Sequence, residues 1–343
     1  MTHTSVSRRG LLKAGTAAGL VGVAGCLGGD EKTDLSVAVV QGAAATALLS
    51  SLQRVVSNES DVVRMVVEET PGVPANLRLY NDGDVDAVTM TNYGAIQAQD
   101  SEGAFEEQPI DTLPYQGIGI AQYHMHWITS TESDVETTDD LAGSNVFPLP
   151  AGWSFRQMIE ELHAVEGTWS DIEPNVANLA PGDVADAFSE GRLDAALAYT
   201  TNLSGVPGFY SEVDARIDME FVEATDSWIQ AAKDYERADY VEADLQQLYE
   251  QDMGGLDAVP SIAAGLQLAF GEDVPDEVSY EIARISHEYV DEIKEGQSNY
   301  PDHGDLDMMT SMYLPTEYQL PIHGGVADFL EENNHWNESW ERA

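Results

Sequence analysis

Three segments of the sequence could bind an anionic small molecule, because each lies at the start of a predicted helix. They are residues 42–46, 73–76 and 152–156. Backbone N–H groups at a helix N-terminus lack intrahelical acceptors and carry partial positive charge, so they attract a carboxylate. The candidate ligand-binding residues in these segments are Ala44, Thr46, Val73, Asn76, Trp153, Ser154, Phe155 and Arg156.

Polar and aromatic residues also stand at the ends of two predicted strands, residues 85–90 and 194–199. In an α/β sheet, ligands bind beyond the carboxyl ends of the strands. Hydroxyls, amides and aromatic rings from both strand ends could therefore line one cleft with the helix starts. The candidate ligand-binding residues at these ends are Thr91, Asn92, Tyr93, Tyr199 and Thr200.

Several of these residues have a structural alternative. Thr46 and Asn76 are equally suited to capping a helix, and Tyr93 and Tyr199 to filling the core. For Trp153, contact with a ligand is favoured over a structural position between the two lobes. These alternatives stay open at the level of the sequence.

Charged candidates are weaker. Arg156 could grip a carboxylate through two parallel hydrogen bonds, but pairing with one of the abundant surface acids is slightly favoured. His124 and His126 share one face of a predicted strand and could begin a metal site. No third ligand is evident, so a half-buried strand face is favoured, and a structural role is favoured for His323.

Catalytic motifs are not found in the sequence. It contains no phosphate loop, dinucleotide fingerprint or zinc-protease motif, and residues 152–156 lack the second glycine of a nucleophile elbow. Paired carboxylates decide nothing in so acidic a chain. The sequence therefore predicts a binding protein with no catalytic residue, metal or cofactor.

The elements that would position these residues alternate along the first two thirds of the chain. Strands are predicted at residues 34–41, 62–67, 85–90, 124–129, 145–149 and 194–199, with helices at 43–56, 75–80 and 153–165 between them. Such alternation predicts an α/β fold with a mostly parallel sheet. Beyond residue 225 the pattern indicates helices at 228–250, 257–270 and 278–296.

A faint internal repeat relates residues 81–88 to residues 189–196. Each copy has a glycine, two residues and then Asp-Ala entering a strand. The glycine suits a left-handed helix terminus, and the aspartate could bond the turn that begins the strand. Two such copies suggest two domains of similar build.

The N-terminus carries an export pattern. Arg8 and Arg9 precede an uncharged run at residues 14–25, which is too short for a spanning helix and typical of a twin-arginine signal. Cys26, the only cysteine, follows small residues as in the lipobox of exported lipoproteins and is the predicted lipidation site. We therefore expect an export signal at 1–25 and a lipid-anchored tether at 26–34, placing the protein on the extracellular face of the membrane.

Acidic residues dominate the charge. The formal net charge is −46, with 61 acidic and 15 basic residues, so nucleic acid is excluded as a partner. Hydrophobic residues make up 43% of the chain, which indicates a folded protein rather than a disordered acidic one. The composition resembles that of proteins from extremely salt-loving archaea, in which salt screens such self-repulsion.

Ordered motifs along most of the mature chain resemble those of a known family. The chain is similar to the TAXI class of TRAP-transporter solute receptors. The matching stretches lie at residues 73–79, 83–87, 138–146, 152–154, 191–195, 205–207 and 320–327.

The resemblance implies an α/β fold of the two-lobed, periplasmic-binding-protein-like type (type II), with a hinge and an interlobe cleft. Lobe I would comprise residues 35–122 and 223–343, and lobe II residues 123–222. It also implies an extracytoplasmic receptor, not an enzyme, that captures a small organic acid or amino acid such as glutamate or 2-oxoglutarate. The implied partners are that solute, the TRAP permease membrane subunits and the membrane itself through the lipid on Cys26.

The sequence departs from this family where ligand is expected. The first loop, at residues 41–46, has no aromatic residue, and residues 71–74 replace a Gly-Gly-Ser element. Trp153 and Phe155 lie in place of a Gly-Ser-Gly-Thr stretch and would make the site more apolar. An ABC-type solute-binding lipoprotein and an exported membrane-anchored enzyme remain as alternatives.

Overall fold

The computed structural model describes residues 32–41, 44–256, 258–314, 318 and 320–343. The predicted export signal and Cys26 lie outside the described residues, as do Gly42 and Ala43 of the first candidate loop. The first strand begins at Thr33, inside the segment 26–34 that the sequence predicts as a tether. No helix within the described part of the chain has the length and apolar character needed to span a membrane.

The described residues form a nine-stranded sheet. Seven strands follow the order β2-β1-β3-β9-β4-β6-β5, while β7 pairs with β4 and β8 with β9. The strands are β1 (Thr33–Val40), β2 (Val63–Thr70), β3 (Ala87–Thr91), β4 (Tyr115–Ser130), β5 (Val146–Phe147), β6 (Ala195–Thr201), β7 (Met219–Phe221), β8 (Asp239–Ala243) and β9 (Val259–Phe270).

Helices occupy the connections between these strands. The α-helices are α1 (Ala44–Glu59), α2 (Val73–Asn81), α3 (Asn92–Asp100), α4 (Ser154–Glu166), α5 (Trp169–Ile172), α6 (Val184–Ser189), α7 (Gly208–Arg216), α8 (Asp226–Asp234), α9 (Asp276–Glu288), α10 (Val290–Gly296), α11 (Leu306–Thr310) and α12 (Gly324–Glu332). Short 3₁₀ turns occur at Gly103–Phe105, Thr138–Leu141, Glu173–Asn175, Pro181–Asp183 and Gln246–Leu248. The predicted α/β class is confirmed. The predicted mostly parallel sheet is wrong, because β4 and β9 run antiparallel to all of their partners, so that among the described strands three pairs are parallel and five antiparallel.

Two long antiparallel strands join the ends of the sheet. Parallel pairs form one end (β2-β1-β3) and the other (β5-β6), and β4 and β9 pair with each other between them. The C-terminal half of β9 pairs with β3 and its N-terminal half with β8. The predicted lobe boundary at residues 122 and 123 falls within β4, and the lobe assignments stay a prediction.

The predicted helix at residues 257–270 is wrong, because this segment contains β9. Its residues are buried along almost the whole strand, between β4 on one side and β3 and β8 on the other. A strand buried on both faces has a continuous apolar pattern rather than an alternating one, so its sequence is not separable from a buried helix by periodicity. The predicted helix at 228–250 is likewise shorter, since α8 ends at Asp234 and β8 follows.

The internal repeat has a structural counterpart at its glycines. Gly83 has φ 74° and Gly191 has φ 64°, the left-handed conformation that a glycine adopts without a steric penalty. Both follow the end of a helix, α2 in the first copy and α6 in the second. The predicted left-handed terminus is confirmed in each copy.

The aspartate of each copy bonds the neighbouring strand, not its own turn. Asp86 Oδ2 accepts from the backbone N–H of Ser36 at 3.0 Å and from its hydroxyl at 2.6 Å. Asp194 Oδ2 accepts from the backbone N–H of Asn145 at 2.7 Å and from its side-chain amide at 3.0 Å. Each carboxylate therefore sets the register between two parallel strands at the end where they begin.

Replacing the first of these carboxylates should destabilise the fold. Asp86→Ala leaves the partly buried N–H of Ser36 without its acceptor, at an expected cost of roughly 1–3 kcal/mol. Urea unfolding in KCl would measure this loss in the free energy of unfolding. Asp84→Ala, which removes an exposed carboxylate two residues away, serves as the control. Equal midpoints for the two variants would contradict the proposed role of Asp86.

The acidic residues form a solvated surface. Within the described part of the chain, only Glu281 and the side chain of Glu166 are buried among the acidic residues. Raising KCl from about 0.15 M to about 1 M shortens the screening length from about 8 Å to about 3 Å. We expect the Tm to rise with KCl because repulsion between these acids is screened. Sucrose controls for solute exclusion, and a Tm that rises as much with sucrose would argue against screening.

Candidate functional site

A pocket of about 490 Å³, part of it open to solvent, lies beside three helix N-termini. Six of the predicted ligand-binding residues line it: Val73, Thr91, Trp153, Ser154, Phe155 and Tyr199. Six more lining residues are not among the individual candidates: Val40, Ala45, Gly72, Tyr123, Gly152 and Leu266. Of these, Ala45 and Gly152 lie within the candidate segments 42–46 and 152–156. The pocket therefore brings together residues from distant parts of the chain.

Strand ends and helix starts supply the lining. Val40 and Thr91 end β1 and β3, two neighbouring parallel strands, so both lie at the carboxyl edge where ligands bind in α/β folds. The helix starts are those of α1, α2 and α4. A Cβ placed on Gly72, just before α2, would lie 3.5 Å from the carbonyl oxygen of Gly152, just before α4. The two loops thus face each other across a narrow gap.

Unpaired backbone donors lie at two of these helix starts. The N–H groups of Val73, Ser154 and Phe155 donate to no described residue, and neither Gly72 nor Trp153 caps its helix through a side chain. Such N–H groups and the helix dipoles favour an anion. None of the described lining residues is acidic, so nothing in the lining opposes that charge.

Four aromatic rings form the wall of the pocket. The ring centroids of Tyr123 and Phe155 lie 4.7 Å apart, and those of Tyr123 and Tyr199 lie 5.6 Å apart. Tyr199 also lies 5.9 Å from Phe155 and 6.5 Å from Trp153. These tilted and edge-on contacts are favourable arrangements for aromatic pairs. The expectation that Trp153 and Phe155 make this region aromatic agrees with their positions.

Two hydroxyls in this wall are unpaired. Neither Tyr123 nor Tyr199 has a hydrogen-bond partner for its hydroxyl among the described residues. Burial raises the pKa of both tyrosines above the ordinary value. Each hydroxyl therefore stays protonated and can donate a hydrogen bond.

One family model matches most of the chain. The model of the NMT1-like family matches residues 44–333. The chain belongs to the NMT1-like family. A comparison with curated proteins found no match.

Solved structures similar to this NMT1-like protein include periplasmic binding proteins. SsuA, the alkanesulfonate-binding protein of Xanthomonas axonopodis pv. citri bound to MOPS, is 13% identical, with 91% of this chain and 99% of that chain covered and a TM-score of 0.43. The periplasmic aliphatic sulphonate binding protein SsuA of Escherichia coli is 15% identical, with 91% and 96% covered and a TM-score of 0.40. XAC2383 of Xanthomonas citri bound to chloride ion is 11% identical, with 78% and 88% covered and a TM-score of 0.46.

The chain has a mixed α/β fold. At 11% to 15% identity and TM-scores below 0.5, these three similarities carry no information on what this member of the NMT1-like family binds.

Arg156 does not line the pocket. Its guanidinium donates to the carbonyl oxygen of Leu149 at 3.0 Å, contacts Asn178 Oδ1 at 3.5 Å and pairs with the carboxylate of Glu160. The guanidinium therefore secures the loop before α4, and its pairing with an acid agrees with the alternative that the sequence favoured.

Asn76 and Thr46 bond other parts of the chain. Asn76 is fully buried, accepts from Thr70 and donates to the backbone oxygen of Thr89 at 2.8 Å, so it ties α2 to β2 and β3. Thr46 donates its hydroxyl to the backbone oxygen of Val40 at 2.9 Å. Neither lines the pocket, and neither is the N-cap residue that the sequence offered as the alternative. Ala44 begins α1 beside the pocket but is not among its lining residues.

Asn92 and Thr200 lie away from the pocket. Asn92 Oδ1 accepts from Gln267 Nε2 at 2.9 Å and lines a separate cavity together with Gln122. Thr200 is fully buried and follows Tyr199 in β6, where successive side chains point to opposite faces. Because Tyr199 faces the pocket, Thr200 cannot.

Tyr93 belongs to a hydrogen-bonded network centred on Glu161. The hydroxyl of Tyr93 donates to Glu161 Oε1 at 2.7 Å, and that of Tyr235 donates to Glu161 Oε2 at 2.7 Å. Arg237 also donates to Oε2, at 3.4 Å, and pairs with Glu102. One carboxylate on α4 thus connects α3 with the segment that follows α8.

The two strand histidines differ in their contacts, since the buried Nδ1 of His124 has no partner among the described residues and His126 has one. His126 Nε2 lies 2.6 Å from the hydroxyl of Tyr249, and burial lowers the pKa of His126 to about 3 and that of His124 to about 4. Among the described residues, no group of three or more His, Cys, Asp or Glu side chains could hold a metal ion. Likewise His323 caps α12 and lies 2.7 Å from Ser279 Oγ, which agrees with a structural role.

The pocket residues that the sequence does not predict individually are mainly apolar or distant. Tyr123 lies at the predicted start of lobe II, and Leu266 lies in the segment predicted as a helix. Val40 and Ala45 carry no polar group that could single them out, although Ala45 lies within the candidate segment 42–46. Gly152 begins the candidate segment 152–156 and Gly72 directly precedes the segment 73–76, and their place before a helix start is the available signal.

Breaking the Glu161 network should destabilise the protein. Glu161→Gln keeps one acceptor oxygen but loses the charge that strengthens the bonds from Tyr93, Tyr235 and Arg237. A loss of about 1–3 kcal/mol in the free energy of unfolding is expected relative to Asp171→Asn, which neutralises an exposed acid on α5. Urea unfolding in KCl measures both, and a Glu161→Gln protein as stable as the control would show that the network contributes nothing.

Proposed function

We propose that this protein is an extracytoplasmic solute-binding receptor that captures a small organic acid in the pocket described above. The supporting observation is that Val73, Ser154 and Phe155, whose backbone N–H groups have no partner among the described residues, all line a pocket whose described lining has no acidic side chain. An acid group placed there would accept hydrogen bonds from these N–H groups at two helix N-termini.

The narrow gap between the loops supports capture by closure. Gly72 and Gly152 lie opposite each other, at the starts of α2 and α4. A ligand held between them would contact both helices at once. Since β4 and β9 join the two ends of the sheet, bending of these strands would open and close the gap, as in hinged binding proteins.

The lining supports binding rather than chemistry. The hydroxyl of Thr91 accepts a hydrogen bond from the backbone N–H of Gly94 at 3.0 Å. Ser154, the other aliphatic hydroxyl in the lining, has no histidine or carboxylate partner among the described residues, as a serine nucleophile would need. An exported membrane-anchored enzyme therefore has less support than a receptor.

The finer assignments rest on the sequence resemblance. We propose that the captured solute is a small organic acid or amino acid, with glutamate and 2-oxoglutarate as candidates, and that it is delivered to the membrane subunits of a TRAP permease. Export by the twin-arginine route and a lipid on Cys26 would hold the receptor at the extracellular face of the membrane. An ABC-type transporter is the alternative partner.

A thermal-shift screen of residues 30–343 in molar KCl tests the receptor function. A ligand that binds only the folded state stabilises it, by about 2.7 kcal/mol at a hundred times its Kd. We expect a saturable rise in Tm with one class of organic acid, from a panel of amino acids, dicarboxylates and 2-oxo acids. The compound should be recovered unchanged, since conversion would favour the enzyme alternative.

A matched pair of variants tests the backbone donor within the same screen. Ser154 is the first residue of α4 and Trp153 before it is extended, so proline fits at position 154 without breaking the helix. Ser154→Pro removes the N–H and should weaken the ligand-induced shift, whereas Ser154→Ala removes only the hydroxyl and should retain most of it. Equal shifts in both variants would contradict anion binding at this helix start.

A further inference from the structure

We propose that the ligand is a monoanion with an uncharged, apolar or aromatic body, that it accepts hydrogen bonds from the hydroxyls of Tyr123 and Tyr199, and that the pocket selects against amino acids. This inference rests on the proposed receptor function, and it replaces the two ligands that the sequence resemblance implies, glutamate and 2-oxoglutarate, by another class of organic acid.

The two tyrosine hydroxyls are unused donors in an enclosed place. Tyr123 is 3% exposed and Tyr199 is 2% exposed, yet both line the pocket and neither hydroxyl has a partner among the described residues. Neither hydroxyl oxygen is among the fully shielded side-chain atoms that lack a partner, so solvent reaches both, and a ligand acceptor would take the place of water there. Together with the N–H groups of Val73, Ser154 and Phe155, the lining residues carry five donors that have no partner among the described residues.

An ammonium group has no carboxylate partner, because no aspartate or glutamate is among the described lining residues. The attraction of a cation to the aromatic ring faces, about 0.5–2 kcal/mol, does not replace a counter-charge. The acids that α4 does carry have other partners: Glu160 pairs with Arg156, Glu161 bonds Tyr93 and Tyr235, and Glu166 accepts from Thr168 and Ser227. Burying an ammonium group without a counter-charge is costly, so an α-amino acid is disfavoured.

The body of the ligand would lie against aromatic rings. Tyr123, Trp153, Phe155 and Tyr199 present ring surface, and the described lining contains no lysine, arginine or histidine. A second carboxylate would therefore meet no cation, and the negative ring faces would oppose it. A flat or branched apolar body fits this wall better than the second acid group of glutamate or 2-oxoglutarate.

Matched ligand pairs test the class. Phenylpyruvate against phenylalanine, 4-methyl-2-oxopentanoate against leucine, and 2-oxoglutarate against glutamate differ only in the oxo or ammonium group beside the carboxylate. Titration calorimetry in molar KCl should give tighter binding for the oxo acid of each pair. It should also give tighter binding for phenylpyruvate or 4-methyl-2-oxopentanoate than for 2-oxoglutarate.

Tyrosine variants test the two donors. Tyr123→Phe and Tyr199→Phe keep the rings and remove one hydroxyl each, so each should weaken binding of the preferred oxo acid roughly tenfold or more. Tyr280→Phe removes a hydroxyl that bonds Glu332 away from the pocket and should leave the Kd unchanged. Unfolding midpoints of the three variants in the absence of ligand show whether each one is folded.

The outcomes separate this inference from the function on which it rests. Tighter binding of the amino acids, or of 2-oxoglutarate, would overturn the ligand class while leaving a receptor. Unchanged affinity in folded Tyr123→Phe and Tyr199→Phe would overturn the role of the hydroxyls. Failure of every acid and amino acid to bind the wild-type protein would contradict the receptor function itself.

Discussion

Pairing of β4 with β9 is the interaction on which the rest of the structure depends. These strands pair along most of their length, from Tyr115 with Phe270 to Met125 with Ile262. Each also carries further strands on its other edge, β6 on β4 and both β3 and β8 on β9. Because adjacent residues point to opposite faces, the same pairing brings Tyr123 and Leu266 to the pocket and Gln122 and Gly265 to the separate cavity behind it.

Local features of the chain were the predictable part of this structure. The early strands and helices, the two left-handed glycines and the helix starts at residues 73 and 154 follow from patterns within a few residues of each site. Leu266 and Tyr123 could not be found in this way, because they reach the pocket through a register between segments far apart in the sequence. A run such as residues 259–270 reveals itself as a strand only when both of its neighbours are known.

Polar side chains near the pocket were harder to assign than apolar ones. Asn76 and Arg156 have the chemistry of ligand-binding residues, yet each bonds a backbone carbonyl oxygen, that of Thr89 within β3 and that of Leu149 in the loop before α4. A loop that must hold a helix start in place requires such bonds before any ligand is present. Residue type and position in the sequence therefore predict the region of a site. Whether a polar side chain there binds the ligand or holds a loop in place depends on which backbone groups remain unpaired.

Charge gives this site a particular physical setting. A chain with a formal net charge of −46 repels an approaching anion at long range, and this repulsion weakens as salt shortens the screening length. The donors at the pocket act only at contact, since helix N-termini lose influence beyond about the first turn. A neutral set of N–H and O–H donors keeps its strength in concentrated salt better than an exposed cation would, because hydrogen bonds in an enclosed pocket are screened little. Binding an anion through dipoles rather than through an arginine is thus compatible with a surface whose charged side chains are mostly acidic.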